Sequence, residues 1–526
     1  MAISGAPKVT LSIIDKSTVP PEFQGIYSAI CIPAFKGNTE PQLITNVDQF
    51  LREYTPNGKI EVGYDLSFYS AMRYLLGSNK LFVKRVIGEN AFKAGIEVNK
   101  SGSTNPSVAL SAGIADPNDY EFGTDGAFVL YVKDEGEWGN KINVEIITDQ
   151  TKIKEDPSLN PFIINVYTDS NDNYPIETFV CSLKENAIDG YGRTMTLEEA
   201  LKASDYIRAF INPAVDINTA RPAAVERVQF SKGDDGDPVT EGDMVEAVSV
   251  FENKIKYPIT ILLSGGSSYL AYQQKLIQIA EKRQDCIAIL TVPQDIERRS
   301  DYLNAVVEYR TQTLNANTYY AALYSSWIKI FDYMNDRRIY ISPDGDIGAK
   351  FSQTSETYEP WYPVGGSRRG VINCEGVLNK YDYGEMDYLY ENNINPIYEL
   401  PGKGIRIWGQ KTLLNRPSRL DRLNVIMLLI VIGQALVEAL EDFLFEVNDA
   451  ETRRLVYTMI DNYMAGIRGR RGVTDYYIYI RSLAEEPNEN TLTPEVYLKP
   501  VGAVEYIPLK LMVVPEAVSF QVVMNG

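Results

Sequence analysis

"DMVEAVSVFENKIKYPITILLSGGSSYLAYQQKLIQIAEKRQDCIAILTVP" spans Asp243 to Pro293 and switches its apolar period three times. "DMVEAVSVFEN" has helical spacing, and "YPITILLSGG" is an apolar run short enough to be a buried strand. "LAYQQKLIQIAEKR" returns to an amphipathic helix, and "CIAILTVP" is a second apolar strand. Downstream, "DYLNAVVEYR" and "YYAALYS" repeat the helix and the strand, as far as about Phe331. Strands joined through helices must cross over, and right-handed crossovers build a parallel sheet covered by helices. An α/β domain follows.

Working upstream, "NVDQFLREY" is a short helix with Asn46 as its cap and Gln49 three residues on, a capping-box pattern. "DLSFYSAMRYLLG" is a second helix, with Phe68, Met72, Leu75 and Leu76 on one face and Gly77 as its stop. "KLFVKRVIG" is a strand. From about Gly95 to Val239 the character changes. "AFVLYVK", "KINVEIIT", "FIINVYT" and "ETFVCSL" alternate with Asn, Asp, Gly and Ser-rich turns, which makes this sector β-rich. It ends at "KGDDGDP", Lys232 to Pro238, whose acids lack calcium-loop spacing and mark a solvated boundary.

Two loops invite a functional reading. "SGGSS", Ser264 to Ser268, follows a strand and precedes a helix, where a phosphate loop sits. It has neither the lysine of GxxxxGK[ST] nor the spacing of GxGxxG, so it is a tight strand-to-helix turn. "SPDGDIGAKF", Ser342 to Phe351, has turn-forming residues and is expected to be a surface turn.

"NVIMLLIVIGQALVEALEDFLFEVND", Asn424 to Asp449, carries nine consecutive apolar or glycine residues after Asn424. A bilayer span needs roughly 20 apolar residues, and Gln434, Glu438, Glu441 and Asp442 interrupt this one. Val425, Leu428, Leu429, Ile432, Leu436, Leu440 and Phe443 keep helical spacing, while Ile426, Met427, Ile430 and Val431 make the first turns apolar all round. Such a helix is buried on every side. A second helix is expected to start with Asn448 as cap and Glu451 three residues on, turning Leu455, Val456, Met459, Ile460 and Tyr463 inward. After "IRGRRG", the strands "VTDYYIYIR" and "YIPLKLMVV" are expected.

Both ends carry lone strands. Val9, Leu11 and Ile13 alternate with polar residues before Pro20-Pro21, and Val518, Phe520, Val522 and Met524 alternate after Pro515. A lone strand is not stable by itself. It needs a sheet edge, and that edge can belong to another chain.

Composition narrows the chemistry. With 51 basic and 70 acidic residues the net charge is −19, which argues against nucleic acid as a direct partner. Cys31, Cys181, Cys286 and Cys374 show no CxxC spacing and are expected to be buried reduced thiols. There is no histidine. That removes Ser-His-Asp and Cys-His nucleophiles, HExxH zinc sites and histidine general bases together. No catalytic, cofactor-binding or metal-binding residues are expected, and "MAISGAPKVTLSIID" lacks the pattern of a signal peptide, so a cytoplasmic product is expected.

Over most of its length the chain resembles the contractile-tail sheath proteins of bacteriophages and related injection machines. "PPEFQGIYSAICIPAFKGNTEPQLITNVDQFLREY" is similar to the family's opening, and "DEGEWGNKINVEI" to its WGN turn before a strand. "YEPWYPVGGSRRGVI" and "ENNINPIYELPGKGIRIWGQKTL" resemble its elements near the domain junction, and "LNVIMLLIVI…FEVND" its pair of C-terminal helices. The elements occur in the family's order. One departure is that many relatives have a basic pair after the Asn-Val of the first C-terminal helix, where this chain has Ile426 and Met427.

The resemblance implies a multi-domain α/β fold. Its expected parts are an N-terminal arm at 1–22, a middle parallel-sheet domain at 23–94 and 240–400, and an outer β-rich insertion at 95–239. An inner α+β domain at 401–514 and a C-terminal arm at 515–526 complete it. It also implies a structural subunit without enzymatic activity or membrane insertion, stacked as six-fold rings around a tail tube, contracting on energy stored in the extended lattice. Expected partners are other copies, the tube, the baseplate and a terminator or neck protein, in a virion tail assembled in the bacterial host cytoplasm. Arg468, Arg470 and Arg471 are candidates for contact with the tube or a neighbour. Two rivals share parts of the pattern: a non-contractile shell or surface-layer subunit, and a carboxylate-dependent hydrolase around Asp344, Asp346 and Glu356.

Overall fold

A computed structural model describes residues 25–56 and 58–509. The expected arm residues Val9, Leu11, Ile13, Val518, Phe520, Val522 and Met524 lie outside the described residues. The chain is mixed α/β with several separate sheets, and it divides into two compact units between Gln434 and Ala435.

Six parallel strands form the middle of a nine-stranded sheet, in the order Ile394–Leu400, Ala321–Ser325, Ile287–Thr291, Ile261–Leu263, Ser28–Pro33 and Leu81–Val86. Antiparallel strands finish it: Gln42–Ile44 on one side, Gly404–Ile407 and then Val371–Ile372 on the other. The central parallel strands Ile261–Leu263, Ile287–Thr291 and Ala321–Ser325 are buried along their whole length because helices cover both faces. Alternate side chains serve alternate faces. Ile30, Ile261, Ile289 and Tyr324 share a core with Phe68, Tyr74, Ile347 and Phe351 of the helices Ser67–Leu75 and Asp344–Thr357. Ala29, Leu262, Ala288 and Leu323 share the other with Met244, Val248, Leu276 and Ile279 of the helices Glu241–Ser249 and Leu270–Arg283.

Several local expectations change in detail. Asn46 caps the helix Val47–Tyr54 by accepting from the Gln49 amide at 2.8 Å, but the Gln49 side chain returns to the Thr45 amide, at 3.0 Å, and not to Asn46. In Ser67–Leu75 the buried residues include Phe68, Tyr69, Tyr74 and Leu75, while Leu76 is exposed and Met72 half-buried. Large rings fill the layer that shorter side chains were expected to fill. The larger correction is Ser342–Phe351. It is not a surface turn: Asp344–Thr357 is a helix, and Asp344, Gly345, Ile347, Gly348 and Phe351 are buried. Turn-forming residues there open a helix whose buried face mixes polar and small residues with Ile347 and Phe351.

The β-rich sector folds as two antiparallel four-stranded sheets. One holds Ile207–Ile211, Gly126–Val132, Gly95–Asn99 and Ser107–Ala109; the other holds Val225–Gln229, Asn143–Ile147, Phe162–Tyr167 and Glu177–Cys181. They share one core, in which Phe128 stacks on Phe162 with ring centroids 5.9 Å apart. At the root of this sector, buried Arg85 donates to the carbonyls of Ala34 (2.8 Å), Gly37 (2.9 Å) and Glu135 (2.8 Å). Lys36 donates to the Arg52 carbonyl at 2.8 Å and lies 5.2 and 5.1 Å from the rings of Trp138 and Tyr206.

Candidate interaction surfaces

In an open α/β sheet a ligand binds at the strand carboxyl ends where the connection order reverses. Here that point lies between Ile261–Leu263 and Ser28–Pro33, beside Ser264–Ser268. The crevice is filled from inside. The fully buried Asp344 carboxylate accepts from the Gly265 amide at 2.5 Å, Ser342 Oγ at 2.6 Å and the Gly345 amide at 2.9 Å, and also from Ser70 Oγ. It occupies the position an anionic ligand would need. A Cβ on Gly265 would stand 2.8 Å from Ser67 Cβ, and one on Gly266 2.7 Å from Ser342 Cβ, so the loop is packed shut.

The carboxylates expected of a hydrolase are not gathered. Asp346 is held by Arg73, with Nη2 to Oδ1 at 2.6 Å and Nε to Oδ2 at 2.9 Å. Glu356 is exposed at the far end of the same helix, about 18 Å from Asp344 at 1.5 Å per residue. These acids do not form one site.

The apolar helix Leu423–Glu441 is long and hydrophobic enough to cross a bilayer by length and composition alone. Its first turns, however, are buried on every side from Leu423 to Leu428. Leu423, Ile426, Met427 and Ile430 belong to the core built around Ile261 and Tyr324. It begins as a core helix.

In the smaller unit the helix Ala450–Gly469 packs on a hairpin of Val473–Ile480 and Pro494–Pro500. Asp449, not Asn448, is the cap, accepting from the Thr452 amide at 2.9 Å. Asn448 instead braces the loop by donating to the carbonyls of Glu489 (2.7 Å) and Thr491 (3.1 Å). Val456, Met459, Ile460, Met464 and Ile467 are buried, Tyr463 is half-buried and Leu455 is exposed. Tyr476 donates to Asp461 Oδ1 at 2.8 Å, which ties hairpin to helix.

The second strand of the hairpin is Pro494–Pro500 and not "YIPLKLMVV", of which residues 506–509 are described and are not strand. Prolines at both ends of Pro494–Pro500 hid it. Tyr477 pairs with Tyr497 across the hairpin, their rings 6.1 Å apart and both exposed. Among the described residues this sheet has two strands, so neither outer edge has a strand partner. A two-stranded hairpin is marginal alone, and open edges template further pairing. The alternation of "VTDYYIYIR" was the sequence signal for this surface.

Arg468, Arg470 and Arg471 all sit exposed at the end of the helix. The Arg468 guanidinium lies 5.3 Å from the Tyr476 ring. Arg471 has φ 66°, the left-handed region that favours glycine.

Comparison with known proteins follows the same lines. The family described as phage tail sheath protein central domain matches residues 237–413. The tail sheath protein of Enterobacteria phage T4 is 23% identical over 464 residues, 79% of this chain and 69% of that protein. The tail sheath protein of Vibrio phage KVP40 is 28% identical over 256 residues, 44% of this chain and 38% of that protein. The chain thus spans well under half of the second relative's length. The sheath tail protein of Listeria innocua shares the fold, with a TM-score of 0.56 at 10% identity, over 91% of this chain and 96% of that one. Residues 237–413 thus match the central domain of phage tail sheath proteins, and over most of its length the chain is similar to tail sheath proteins of phages.

Proposed function

We propose that the chain polymerises as stacked six-fold rings around a tail tube and contracts, using energy stored in the extended lattice, to drive that tube through a host envelope. In this reading residues 23–94 and 240–400 are the middle domain, 95–239 the outer insertion and 401–514 the inner domain. Residues 1–22 and 515–526 are arms. Each arm adds a strand to the small sheet of a neighbouring copy, so copies stay linked while body contacts rearrange. The tube, the baseplate and a terminator or neck protein are the other partners, in a virion tail.

The observation that carries the reading is the hairpin of Val473–Ile480 and Pro494–Pro500, with its two edges unpaired among the described residues. A six-residue strand adds about five backbone hydrogen bonds at roughly 0.5–1.5 kcal/mol net each, plus the burial of its inward side chains. Links of that size outlast weaker polar contacts between bodies. Deleting Ala517–Gly526 tests it: the subunit should stay folded by circular dichroism yet form no long striated cylinders by electron microscopy. Normal contractile cylinders from the deletion variant remove the arm model, and sheets or closed particles from the intact chain favour a shell subunit.

A further inference from the structure

We propose a second link between copies, resting on the self-assembly reading above: the apolar tip before Ala450–Gly469 of one copy docks on the arginine turn at the far end of that helix in the next. The tip follows the helix Leu423–Glu441. Leu444 is 65% exposed, Val447 71%, and Phe445 fully exposed, with φ 68°. Three large apolar side chains within four positions project into solvent, and Glu441, Asp442 and Glu446 beside them are exposed too. An apolar centre with a charged rim is the anatomy of an interface.

The tip is braced. Asn448 holds the loop to the Glu489 and Thr491 carbonyls, and Arg453 donates to Asn448 Oδ1 at 2.7 Å. Beside the tip, Arg453 pairs with Glu486 at 3.5 Å and Arg454 with Glu451 at 2.6 Å. The complementary charge is at the other end. Arg468, Arg470 and Arg471 are exposed there, and Arg471 keeps a long cationic side chain in a backbone conformation suited to glycine.

The helix between the patches has 20 residues, about 30 Å at 1.5 Å per residue. The two patches are therefore too far apart to meet within one copy. Copies arranged head to tail bring them together, and a heterologous contact of this kind propagates as an open polymer. Because one chain carries both halves of the pair, the acidic tip and the arginine turn, the occupant is a second copy.

Cross-linking in the full-length chain tests this, with half-buried Cys374 replaced by serine and the other three cysteines buried. Leu444→Cys places a thiol on the tip. Gly469→Cys places one beside the arginines, where a Cβ meets open space. With a short bis-maleimide, polymers of the double variant should give a ladder. A mixture of the two single variants should give dimers, and either single variant alone nothing. Arg470→Glu with Arg471→Glu should cut the ladder at least tenfold, and adding Glu441→Lys with Glu446→Lys should restore it. Dimers from Leu444→Cys alone, cross-links to tube protein only, a ladder indifferent to charge reversal, or intact cylinders without cross-links each overturn the proposal. Loss of the arm model looks different: the Ala517–Gly526 deletion still forms cylinders and keeps the ladder.

Discussion

Glu297 shows burial and charge in direct conflict. It ends the short helix Gln294–Glu297, fully enclosed, with Oε1 accepting from Ser325 Oγ at 2.6 Å and Oε2 from the Trp327 amide at 3.0 Å. Burial pushes its carboxyl up to about 7, against the pull of those hydrogen bonds. The fold therefore holds the proton more tightly than the unfolded chain does. The stabilisation is fully present below about pH 4.5 and is lost as pH rises through about 7. At roughly 1.4 kcal/mol per pKa unit the loss is about 3 kcal/mol. Thermal unfolding of the subunit should show a lower midpoint at pH 8 than at pH 6. Glu297→Gln, which keeps an acceptor and loses the charge, should flatten that difference; an unchanged pH slope in the variant contradicts the assignment.

At the scale of elements, legibility followed the chemistry of the buried face. The strands Ile261–Leu263, Ile287–Thr291 and Ala321–Ser325 were readable because both faces are apolar. Asp344–Thr357 was not, since its buried residues include Asp344, Asp346 and Ser352, which reach the interior through hydrogen bonds and not by hydrophobicity. Periodicity of apolar residues cannot register such a helix. Its seating depends on Gly345, where a Cβ would stand 2.0 Å from the Ser70 carbonyl oxygen, and on Gly348, where it would stand 3.1 Å from Leu263 and Tyr74. Overpacking a tight core costs about 1–3 kcal/mol, and backbone yields less readily than a side chain. Gly345→Ala should therefore lower subunit stability in urea by about 2–3 kcal/mol, and Gly348→Ala by less. Equal effects would mean that the helix is free to shift as a body.

For the whole molecule, the candidate linking surface was half legible. Alternation marked Val473–Ile480, but the proline-bounded partner strand and the projecting tip gave no periodic signal, and the terminal strands expected from alternation and proline breaks lie outside the described residues. The absence of histidine reaches furthest. Carboxylates titrate near pH 4 and Lys and Tyr near 10, so exposed side chains keep a fixed charge between about pH 6 and 9. Burial pushes the Cys31 thiol up to about 12 and raises Cys181 and Cys286 as well, so they add nothing in that range. Glu297 does titrate there, but inside the fold, where it alters subunit stability and not the surface that copies present. Salt acts differently. Each copy carries a net charge of −19, and the screening length falls from about 30 Å at 0.01 M to about 8 Å at 0.15 M. At low salt the repulsion between whole copies reaches across a subunit and outweighs local pairs such as the arginine turn and the acidic tip. The critical concentration for polymer formation, measured by sedimentation, should therefore fall as salt rises over that range and stay level from pH 6 to 9 at fixed salt. A step in polymer formation near pH 7 that persists in Glu297→Gln would show that some other group controls association.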